Sequence, residues 1–155
     1  MLLGVLAAIL AFDVLAGLAL QRIAGPAGAA LVAALGNGLV ALRFGATLLP
    51  GREPLISRYS RFDSAGLPDP QGRYTRGLTT FWAALLGSFC LIDATAIAAA
   101  HPIAVLSAIE ALVCVMVFCG EHAVRNRRFP QLGRATPLRT VRAICLAHGV
   151  HLRAA

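Results

Sequence analysis

The sequence contains no lysine, and only 14% of its 155 residues are charged, against roughly 25% in an ordinary soluble domain. Disordered chains are rich in charge and poor in apolar residues, so this scarcity excludes disorder. Apolar residues make up 58% of the chain, and so few polar side chains could not cover the surface of a water-soluble globule. Signatures of common enzyme classes are also missing. There is no Walker loop, no Rossmann glycine pattern, no Gly-x-Ser-x-Gly elbow and no acyltransferase-type His-x4-Asp. The length is too short for a condensing enzyme. The remaining class is an integral membrane protein, in keeping with a mean hydropathy of +0.75.

All 14 basic residues are arginine; with seven acids they give a net charge of +7. In a soluble protein this excess would point to nucleic acid. Here the arginines lie between apolar runs, so anionic lipid headgroups are the simpler partner and nucleic acid is not expected.

A helix needs about 20 mostly apolar residues to cross a bilayer. Four runs qualify: Leu2–Leu20, Ala24–Leu49, Gly77–Ala100 and Pro102–Gly120. The first lacks a basic start and carries Asp13, so it reads as a span rather than a cleaved leader. Arg52, Arg58, Arg61, Arg73 and Arg76 fall in the loop 50–76. Arg125, Arg127, Arg128, Arg134, Arg139, Arg142 and Arg153 follow the last run, and only Arg22 falls on the opposite side. By the positive-inside rule both termini and the loop are cytoplasmic. The expected fold is all-α: four transmembrane helices in two hairpins over residues 1–130, with short amphipathic interfacial helices and a basic cytoplasmic tail over 131–155. Cys90, Cys114, Cys119 and Cys145 all avoid the oxidising side, so no disulfide is expected.

Apolar side chains gain little from each other in lipid, so small residues mark helix–helix contacts. Ala27, Ala30, Ala34, Gly38, Ala41 and Gly45 form such a stripe on the second run, a face that also suits pairing with a second copy. Counting about 1.5 Å per residue from the inner side puts Asp13, Asn37 and Glu110 roughly 15–18 Å deep, with Asp93 further out at roughly 24 Å. Arg43, about 9 Å in, can snorkel to the inner interface. Charged groups at such depth face the bundle interior or water. Asp13, Asn37, Asp93 and Glu110 are therefore the candidate buried polar cluster, either hydrogen-bonded glue between helices or a relay for protons or substrate.

In the loop, Pro54 opens a short helix whose Leu55, Tyr59 and Phe62 share one face, suited to the headgroup region. Residues 63–71, with Gly66, Pro68 and Pro70, form a turn-rich connection. Tyr74 and Trp82 suit the interfacial aromatic belt. Glu121 and His122 sit at the inner boundary as an acid–base combination. Neighbours on a helix point about 100° apart, so the two are not expected to act on one another. Cys145-x-x-His148-x-x-His151 has ligand types but no fourth ligand, and no metal or cofactor is expected. Leu138, Val141 and Cys145, with Arg139 and Arg142, read as an amphipathic helix on the inner leaflet.

Three ordered blocks, LLPGREPLISRYSRFD, RYTRGLTTFW and FCGEHAVRNRRFP, resemble a family of small, uncharacterised bacterial inner-membrane proteins. Its members occur in gene clusters for aryl polyene and xanthomonadin-type pigments. The resemblance spans about Val40–Pro130 and implies a setting rather than a reaction: lipids built on acyl carrier proteins. In that setting Arg52, Arg58, Arg61, Arg73 and Arg76 are candidate contacts for a phosphate headgroup or an acidic carrier protein. No catalytic residue is assigned. The expected role is an accessory or scaffold protein, with a small transport subunit or a lipid-modifying enzyme as alternatives.

Overall fold

The computed structural model describes the backbone of residues 2–63, 67, 69, 72–99 and 103–153, and the side chains of residues 11, 14–63, 67, 69, 72–99 and 103–149. Asp13, Gly66, Pro68, Pro70, Pro102, His151 and Arg153, named in the sequence reading, lie outside the described residues or side chains. The elements are α1 (Leu2–Ala46), α2 (Leu55–Ser60), α3 (Arg73–Ala99), α4 (Ile103–Arg128), a short 3-10 turn at Pro130–Leu132 and α5 (Pro137–Arg153). No strand occurs among the described residues. Among the described residues, three helical stretches are long and apolar enough to cross a membrane: Val14–Ala46, Arg73–Ala99 and Ile103–Arg128.

The helical path of α1 is interrupted at Gly25, where φ is 71°. An L side chain rarely adopts that conformation, which glycine takes without a steric penalty. Pro26 follows, with its φ preset for a new first turn and no N–H to satisfy.

The chain divides into two compact units, Met1–Leu42 with Ala83–Met116, and Arg43–Trp82 with Val117–Ala155. In the first unit Ala29, Ala30 and Ile103 form a buried cluster, against which Leu20, Ala33, Ile97 and Leu106 pack. The large apolar side chains point outward instead: Leu15, Ile23, Leu35, Leu39, Leu91 and Val105 are all exposed. This arrangement is inside-out relative to a water-soluble protein and suits a lipid surround, where small residues permit close helix approach. Ala30 and Ala34 of the stripe are buried, and a Cβ on Gly38 would come within 3.1 Å of Cys90 Sγ. Ala27 is exposed.

The second unit is built around α2, α5 and the adjoining turns of α3 and α4. Threonines cap α2: the Leu55 amide donates to Thr47 Oγ1 at 3.0 Å and the Ile56 amide to Thr79 Oγ1 at 3.3 Å. Its apolar face, expected among headgroups, meets protein instead, with Leu55 buried and the Tyr59 ring 5.7 Å from that of His148 in α5. The tail is thus helical and packed, with Ala143 and Ala147 buried. The face carrying Leu138, Val141 and Cys145 points outward.

Candidate functional site

Two polar constellations stand out, one in each unit. In the first, the Asn37 amide nitrogen of α1 donates to Asp93 Oδ2 of α3 at 2.9 Å and to Glu110 Oε2 of α4 at 3.1 Å. Asp93 is fully buried and Glu110 nearly so. Three of the four residues expected in a buried cluster are therefore brought together. The separation of Asp93 from Asn37 and Glu110 by axial counting is corrected. Such counting assumes level, parallel helices, and it ignores the reach of the side chains.

In the second unit, Asp63 accepts from two arginines. Arg125 Nη2 donates to its Oδ2 at 2.5 Å, and Arg139 Nε donates to its Oδ1. Asp63 and Arg125 are both buried. Their neighbours are equally engaged. Asn126 donates to the Ala135 carbonyl and accepts from the Ala135 amide at 2.6 Å, pinning the segment that leads into α5. Sequence reasoning passed over Asp63 and Asn126 and read Arg125 only as a mark of orientation. The available signal was an acid in surroundings otherwise dominated by arginine.

A hydroxyl chain starts α3. The Ser57 and Thr75 hydroxyls lie 2.6 Å apart, and the Thr75 hydroxyl and amide both donate to Asp69 Oδ2 at 3.0 and 2.9 Å. Burial pushes the Asp69 carboxyl up, but the hydrogen bonds from Thr75 and neighbouring amides outweigh it and hold the group below its ordinary value.

The other candidate arginines differ in their engagement. Arg61 pairs with Glu53, and Arg76 donates to the Leu48 carbonyl at 2.6 Å. Arg52 and Arg73 are exposed and Arg58 is half-buried. Arg43 does not reach outward freely: its Nη2 lies 2.8 Å from His148 Nε2, while His148 Nδ1 lies 2.8 Å from the Ile144 carbonyl. A neutral ring with its proton on Nδ1 satisfies both contacts. Trp82 meets Phe81 edge-on.

Glu121 and His122 require a correction. Glu121 Oε2 lies 3.2 Å from His122 Nδ1, because the glutamate's flexible stem folds back across the angle between the two residues. His122 is also buried rather than reaching for the interface. Its Nδ1 lies 2.6 Å from the Phe118 carbonyl and its Nε2 lies 2.8 Å from the Thr140 hydroxyl of α5. Glu121 accepts in addition from the Tyr74 hydroxyl at 3.1 Å. Among the described residues no group of three or more His, Cys, Asp or Glu is placed to hold a metal ion.

In comparisons with protein-family models, with curated proteins and with solved structures, the chain matches none.

Proposed function

We propose that the chain is an accessory or scaffold protein of the bacterial inner membrane, serving membrane-associated lipid or aryl polyene assembly. In this reading it crosses the bilayer four times as two hairpins, with both termini in the cytoplasm. The break at Gly25 supports a turn there, since Leu20 before it and Ala29 and Ala30 after it pack in one cluster. The arginine distribution supports the orientation.

The observation that carries the scaffold role is the buried Asp63–Arg125–Arg139 cluster. It joins the loop, the end of α4 and α5 into one folded unit. The exposed arginines Arg52, Arg127, Arg134 and Arg142 then stand on an ordered surface rather than on a loose loop. An ordered basic surface suits a soluble acidic partner, here an acyl carrier protein, by charge complementarity. The test is capture of purified acidic acyl carrier protein by the full chain in detergent. Arg52→Gln with Arg142→Gln should lower capture at least tenfold, and Asp93→Asn should leave it unchanged. Capture that survives the arginine changes removes this role. A membrane-impermeant thiol reagent applied from outside intact cells tests the orientation, and labelling of Cys145 would reverse it.

The Asn37–Asp93–Glu110 network favours a second reading, a small transport or flipping subunit. Two buried carboxyl groups that share one amide donor are suited to carrying a proton through the membrane. That reading requires loss of transport in Asp93→Asn and Glu110→Gln proteins that still fold. Retained transport in both discards it.

A further inference from the structure

Between the first turns of α3 and the last turns of α4 lies an open groove of about 500 Å³. One end is polar and the other apolar. Arg73 of α3 and Arg128 of α4 line the polar end, together with the hydrogen-bonded Tyr74 and Glu121. The Arg128 guanidinium lies 5.5 Å from the centre of the Tyr74 ring and 5.9 Å from that of Phe129, so it is held over aromatic faces. The apolar end is walled by Phe81 and Val117, and nothing stands within 4 Å of where a Gly77 Cβ would be.

We propose that this groove binds one molecule of phosphatidylethanolamine. The polar end offers two cations and one anion. The headgroup offers the complement: a phosphate for Arg73 and Arg128, and a primary ammonium for Glu121. Arginine suits the phosphate because its planar donor set engages two oxygens together. An acyl chain fits the apolar wall beside Gly77 and Phe81, where large apolar surface is otherwise uncovered. The two helices carrying the groove are long and apolar enough to span a membrane. Arg73 opens α3 and Arg128 closes α4, so the polar end lies at helix termini, where headgroups meet such helices. Glu121 separates this site from a general attraction to anionic lipid, because a carboxylate in the groove disfavours a headgroup without a cation.

The test is lipid retention by the delipidated full chain in detergent, read by native mass spectrometry. Phosphatidylethanolamine, phosphatidylglycerol and phosphatidylcholine of matched acyl chains are offered in turn. Phosphatidylethanolamine should be retained at least fivefold over the other two. Phosphatidylglycerol lacks the cation, and the quaternary ammonium of phosphatidylcholine has no N–H to donate. Arg73→Gln with Arg128→Gln should abolish retention, whereas Arg127→Gln, outside the groove, should not. Glu121→Gln should erase the preference for ethanolamine while keeping phosphate-dependent binding. Gly77→Leu should lower retention with both arginines intact, because it fills the space for the chain. Thermal melting of each variant separates lost binding from lost folding. Equal retention of the three lipids, or retention that persists in a folded Arg73/Arg128 variant, overturns the proposal.

Discussion

Asp63 and Arg125 are 62 residues apart in the chain and meet at 2.5 Å with both side chains buried. Arg139 completes the cluster from α5. A buried ion pair contributes little net stability compared with a well-packed apolar replacement, but removing one partner leaves the other charge uncompensated. Here Asp63 compensates two guanidinium groups, and Arg125 Nε and Arg139 Nη2 already have no protein partner.

Asp63→Asn should therefore destabilise the second unit by about 3–5 kcal/mol. Limited proteolysis should show cuts in the segment before α5 first, because α5 loses its attachment through Arg139. Denaturant unfolding of the detergent-solubilised protein measures the size of the effect.

Asn37→Ala should remove the donor shared by Asp93 and Glu110 at a cost of about 1–3 kcal/mol. Asn37→Asp should cost more, since it places a third carboxyl against two others. Unfolding in mixed micelles checks the order of the two variants, and an Asn37→Asp protein as stable as the parent would contradict the network.

Gly38→Ala adds a methyl 3.1 Å from Cys90 Sγ. The tight contact opposes a gain of about 1 kcal/mol in helix propensity, so the net effect should lie close to zero. Gly38→Val has no such balance and should cost about 1–3 kcal/mol through overpacking. Thermal melts of the pair provide the comparison.

The start of α3 should loosen in acid. Asp69 has a folded pKa below its unfolded value. Its contribution is complete above the ordinary aspartate value of about 3.9 and fades as pH falls through the lower folded value. Hydrogen exchange at the Thr75 amide should accelerate over that window. The Asp69→Asn protein should exchange faster than the parent at neutral pH and show less of the acid-dependent change.

The helical character of the described residues, and helices long and apolar enough to cross a membrane, were legible in the sequence because a bilayer leaves such segments few choices. A run of apolar residues in lipid must satisfy its own backbone hydrogen bonds, and the helix does so locally. The break between the first two runs was expected around Arg22 but lies at Gly25–Pro26, inside the second run, because glycine tolerates the φ of 71° and proline can start a new helix. Asn37 and Glu110 were recognisable as buried partners because a polar group is costly at depth.

Contacts that depend on where helices meet were not readable in this way. Axial counting set Asp93 apart from Asn37, although three short polar side chains meet across helices. The arginines of the loop and of the segment after the last run looked alike in the sequence. The tertiary structure divided them into Arg125 and Arg139, consumed by Asp63, and others such as Arg52 and Arg142 left exposed. His122 and Tyr59 were expected at the interface, yet both are covered by α5, whose attachment rests on side chains distant in sequence. By itself the sequence determined which segments are helical and which suit a membrane, since those properties follow from local backbone bonding and solvation. Only the tertiary structure decided which polar groups are partners and which remain available, because pairing depends on distances that no single segment contains.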